Sequence, residues 1–111
     1  MAARKPPLKD LVALKRQRAE QTLQGVQQEL NALLAELQDL ENELAGMDGQ
    51  AGGIESHILA YEHGFDQRQV HAIAECRARI VEKEAEYFAA REALKRAFDS
   101  EERLRREAGG A

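Results

Sequence analysis

Leu23, Val26, Leu30, Leu33, Leu37, Leu40 and Leu44 follow one another at alternating steps of three and four residues. That alternation keeps an apolar stripe facing a second helix as the two wind together. A matching series comes later in the chain. Ile73, Ile80, Tyr87 and Leu94 recur every seven residues, and Cys76, Lys83, Ala90, Ala97 and Leu104 recur at the same interval, offset from them by three. Two such series predict an all-α protein in which two long helices form an antiparallel coiled-coil hairpin with a short helical connector.

Local signals set the expected bounds. Pro7 suits the first position of a helix, where its missing N–H is not needed, so helix one is placed over about 7–45. Gly46-Met47-Asp48-Gly49-Gln50-Ala51-Gly52-Gly53 holds four glycines in eight residues and should stop it. The stretch 46–66 then reads as a connector, with a possible short helix over 54–63 that Gly64 caps at its C-terminal end. Asp66 with Gln69 has the spacing of a reciprocal N-terminal cap, flanked by Phe65 and Val70 as a hydrophobic staple. On that signal helix two starts at Gln67 and runs to about 107.

Helices of nearly equal length joined by a short connector favour antiparallel pairing. The register that meshes the two stripes pairs residues whose numbers add to about 113, setting Leu40 by Ile73, Leu33 by Ile80, Val26 by Tyr87 and Ala19 by Leu94. Leu37 with Cys76 and Leu23 with Ala90 fall between those layers. Large side chains thus face small ones, which lets the helices interdigitate. Lys9, Arg16 and Lys83 interrupt the stripes, reducing stability but opposing slipped registers.

Composition fits a rod better than a globule. The 111 residues are 32% charged with no tryptophan, so a broad core is not expected. The single cysteine, Cys76, cannot form an internal disulfide, which points to a reducing compartment. No apolar run approaches the ~20 residues of a membrane-spanning helix, and the basic start lacks the apolar stretch of a secretory signal. A cytoplasmic location is expected. The net charge of −4 is unevenly spread: residues 19–66 carry ten acids and no base, while Arg4, Lys5, Lys9, Lys15, Arg16 and Arg18 crowd the start against Asp10 alone. A hairpin would bring this basic start close to Arg103, Arg105 and Arg106.

Catalytic chemistry finds no footing in the sequence. His57, His63 and His71 lack the cysteine pairs or His-Glu-x-x-His spacing of zinc sites and read as exposed histidines. Cys76 reads as a small core residue. Ser56, Ser100 and Thr22 have no adjacent base and no glycine-rich phosphate loop. The chain is therefore expected to be no enzyme, with no metal, no cofactor and no small-molecule substrate. Nucleic acid is disfavoured because the acidic middle repels phosphate, leaving an RNA-gripping hairpin as the lesser alternative.

More apolar surface is present than one partner helix covers. Ala74, Val81 and Phe88 form a second stripe beside the seam, with Phe98 further along, and helix one adds Leu11 and Leu14. Ile58, Leu59 and Tyr61 could fold back over the nearer part. Leu11, Leu14, Val81, Phe88 and Phe98 otherwise read as a surface for a partner or a second copy.

The opening Leu8-x-x-Leu11-x-x-Leu14-Lys15, the glutamine- and leucine-rich heptads, Gly53-Ile54 through Ala60-Tyr61, Arg77-x-Arg79-Ile80 and Glu101-Glu102-Arg103-Leu104 resemble the FliJ family of flagellar type III export proteins and its YscO-type injectisome counterparts. The resemblance implies a non-enzymatic stalk or adaptor like the central stalk of rotary ATPases. It implies as partners a hexameric export ATPase, the export gate in the membrane and substrate chaperones. The implied setting is bacterial flagellum biogenesis and protein export, and through it chemotaxis. The implied location is the cytoplasm or the cytoplasmic face of the inner membrane. A self-associating structural coiled coil is the alternative.

Overall fold

A computed structural model describes the backbone of residues 7–48 and 56–109, and the side chains of 7–46 and 64–109. It is all-α. Helix α1 spans Leu8–Asp48 and α2 spans Ser56–Gly109, and the two pack antiparallel. By packing, the chain divides into two compact units. One joins Met1–Gln28 to Ala85–Ala111 and the other is Glu29–Glu84, so each unit is a stretch of both helices.

The start of α1 differs by one position from expectation. Pro7 stands just outside the helix, and its carbonyl accepts hydrogen bonds from the N–H groups of Asp10 and Leu11 at 3.0 and 3.2 Å. Proline serves as the cap here because its carbonyl, not its ring nitrogen, meets the helix's unsatisfied donors. Asp10 in the first turn adds a carboxylate where the helix dipole favours one. At the other end α1 continues through Gly46 to Asp48, three residues beyond the expected stop.

The expected break between a short helix and helix two is absent. Residues 56 to 109 are one continuous helix of 54 residues that passes through Gly64, Phe65 and Asp66. Asp66 does not cap it, since the buried Oδ1 atom has no hydrogen-bond partner among the described residues. Gln69 does not return a capping bond either, because its side-chain amide donates to Glu43 on α1. The reason is cooperative. Continuing the helix satisfies each backbone N–H in turn, whereas the cap would satisfy two donors, and Gln69 finds Glu43 as its partner instead. Gly49, Gly52, Gly53 and Ile54 of the expected connector, and the side chains of Ile58, Leu59 and Tyr61, lie outside the described residues.

In the Glu29–Glu84 unit, α2 supplies the buried Ile73, Cys76 and Ile80, with Gln69 nearly as well covered. From α1, Leu30, Leu33, Leu37, Leu40 and Leu44 are half-buried. The Cys76 thiol donates to the Leu33 carbonyl at 3.4 Å. Lys83 donates to Glu29 at 2.5 Å and Arg77 to Glu41 at 3.0 Å, tying the edges of the seam. These pairs straddle the expected register to within about a helical turn.

In the other unit, Ala90 and Ala97 are buried, while Tyr87, Leu94 and Leu104 of α2 and Val12, Ala19, Leu23 and Val26 of α1 are half-buried. Two helices cover each seam residue from one side only. Small or β-branched side chains therefore disappear between them, and the longer leucines keep wet tips.

Candidate interaction surface

Each of the five residues singled out for partner binding is exposed: Leu11, Leu14, Val81, Phe88 and Phe98. Val81 at 67% and Phe88 at 64% expose more of themselves than the other large exposed apolar side chains, Leu8, Leu34 and Val70 among them. Leu34 and Val70 escape sequence reasoning. Leu34 sits one position beyond the seam residue Leu33, and Val70 belongs by its motif to a staple that does not form. Both carry a usable signal, an aliphatic residue at a position flanking the stripe.

On the Glu29–Glu84 unit, Val70 and Ala74 lie beside a shallow open groove of about 400 Å³, floored by Leu44 and Ile73 and edged by the Glu41–Arg77 ion pair. Its floor is apolar and its rim is charged. On the other unit, Leu8, Leu11 and Leu14 recur every three residues along α1 and are all exposed.

The end of that unit is organised by Arg16. It interrupts the apolar stripe of α1, and its guanidinium donates to Glu20 at 2.8 Å and to Glu101 of α2. The same guanidinium lies 5.7 Å from the centre of the Phe98 ring, within range of a cation–π contact. Hydrogen bonding to Glu101 first, and to Glu20 second, raises the Arg16 pKa above its already high ordinary value. A residue that reads as a defect in the stripe is thus a cross-link between the helices.

Other candidate chemistry is placed as follows. The single cysteine, Cys76, is 1% exposed and faces the seam, so its thiol is not presented to solvent. His71 pairs with Glu75 one turn on, at 3.0 Å on the surface. The side chains of His57 and His63 lie outside the described residues. Among the described residues, no group of three or more His, Cys, Asp or Glu side chains is gathered for a metal ion. The basic residues near the ends are interleaved with carboxylates: Arg105 pairs with Glu101 and Arg106 with Glu102. Such pairing dilutes the positive field that phosphate binding needs. No helix among the described residues is long and apolar enough to cross a membrane.

The geometry defines an antiparallel helical coiled coil with large apolar side chains on its outer faces. Neither a family model, nor a curated protein, nor a solved structure matches the chain.

Proposed function

We propose that this protein is a non-enzymatic coiled-coil adaptor that works by docking, and that its setting is the stalk of a bacterial type III protein export apparatus. One observation carries the docking role. The seam is already filled by the chain's own helices, yet Val81, Phe88, Leu11 and Leu14 remain outside it. Exposed aliphatic and aromatic side chains on a rigid helix are the usual anchors of helix-mediated recognition. The resemblance of the opening leucines and the heptads to the FliJ and YscO families supplies the setting. In that setting the partners are a hexameric export ATPase, the membrane export gate and substrate chaperones.

The test is reconstitution with the export ATPase encoded by the same genome. Adding the chain should raise the ATPase's hexamer content or hydrolysis rate, and Leu11→Glu with Leu14→Glu should weaken that effect without loss of helicity. Failure of the wild-type chain to bind the ATPase, with no change in assembly or turnover, overturns the export setting.

A further inference from the structure

We propose that two copies of this chain associate through one flank of the Glu29–Glu84 unit. The two-fold axis runs along that unit's helices, so each α1 faces the second copy's α2. This inference stands apart from the export setting, whose test is directed at Leu11 and Leu14.

The two flanks of the unit differ in charge. On one, Glu29, Glu36 and Glu43 recur every seven residues along α1, and Glu75 and Glu82 along α2, all of them exposed. The other flank holds the groove over Leu44 and Ile73. Leu34 stands seven residues before Glu41 on the groove's rim and Val81 seven after Ala74, so both continue the same flank. Leu34, Val70 and Val81 are exposed there, and the small Ala45 and Ala74 between them let another helix come close. The charged residues of this flank are Glu41 and Arg77, paired at 3.0 Å, and Glu84 at the end of the unit.

A second copy fits because the flank is its own complement, level by level. Rotation about an axis parallel to the helices keeps each residue at its level and exchanges the two sides of the groove. Leu34 then meets the second copy's Val81, and Ala45 meets its Val70. Between these apolar levels Glu41 meets the second copy's Arg77, and the two ion pairs close into a ring of four alternating charges. At the level of Glu84 stands Asn31, an amide donor for the second copy's carboxylate.

The charged level also selects the orientation. An axis lying across the helices would reverse the levels and bring Glu41 within about one turn of its own copy, like charge against like. With the axis along the helices, the acid-rich flanks lie on the outside of the pair, where water surrounds them. Such an interface is isologous and closes at two copies.

Sedimentation equilibrium of the full chain from micromolar to sub-millimolar concentration tests the proposal. The mass should rise from 12.4 kDa toward twice that value. Leu34→Glu and Val81→Glu should each leave a monomer. Glu41→Arg and Arg77→Glu should each raise the dissociation constant about tenfold, and the two in one chain should restore it to within about threefold. A Leu34→Cys chain mixed with a Val81→Cys chain should form the mixed disulfide in preference to either homodimer, with Cys76 sealed in the seam. Leu11→Glu with Leu14→Glu should leave the dimer intact, which separates this interface from docking to the export ATPase. Far-UV circular dichroism should be unchanged in these variants, since none of the altered side chains is buried. A wild-type chain that stays monomeric throughout overturns the proposal, as does a dimer indifferent to Leu34→Glu and Val81→Glu. Homodisulfides at position 34 that outrun the mixed one, or a monomer that captures only a different protein through Val81, also overturn it.

Discussion

Replacing Ile80 by alanine measures how much of the fold rests on the seam. Ile80 is 6% exposed, so nearly all of its side chain has left water. The change removes three carbons at about 0.8 kcal/mol each, or about 2.4 kcal/mol. Alanine's better helix propensity returns a few tenths. The residual cavity adds little, because the seam is open at both flanks and can collapse, which keeps the cost near the lower end of the ~2–5 kcal/mol range for such truncations. The expected loss is about 2 kcal/mol, equivalent to roughly 8–16 °C in melting temperature for a chain of this size. Val70→Ala on the same helix is the control. Val70 is 55% exposed, so losing two half-wet carbons costs about 0.7 kcal/mol, and the gain in helix propensity offsets most of it. Urea unfolding followed by circular dichroism separates the two. Equal losses at positions 70 and 80 would refute the assignment of α2's buried face.

Three further outcomes follow from particular contacts. Gly64→Ala should stabilise the fold by about 1 kcal/mol, because Gly64 is inside α2 and a Cβ there meets nothing within 4 Å; destabilisation would show that the helix stops at this glycine. Gln69→Leu should raise stability by about 1 kcal/mol, since it buries an aliphatic side chain at a seam position while Glu43 returns to water; a loss would mean the Gln69–Glu43 bond outweighs apolar packing. Cys76 should react with a water-soluble thiol reagent on the order of a hundredfold slower in the native protein than in denaturant; comparable rates would place the thiol outside the seam.

The seam is legible in the sequence because it depends only on spacing. Ile73, Cys76 and Ile80 are buried and Leu23 through Leu44 half-buried as their three-and-four steps require. The start of α2 is not legible. Phe65, Asp66, Gln69 and Val70 spell a capping motif that is sound locally, but local chemistry competes with contacts from distant sequence. Gln69 has Glu43, 26 positions earlier, as a better partner, and no local motif contains that information. Arg16 reads as a disruption for the same reason, since Glu101 lies 85 positions away. The exposure of Val81 and Phe88 follows from their place beside the stripe. What docks there does not, because periodicity fixes where a helix touches itself and carries no description of an outside molecule.

A core one side chain thick has a consequence for how such a chain can change over generations. Aliphatic residues of similar volume exchange at its seam for little cost, and most other positions reach water and are bound only to remain helical. Two descendants could keep the same shape while sharing few letters, their kinship surviving as a rhythm of greasy and wet positions more than as any spelled-out word.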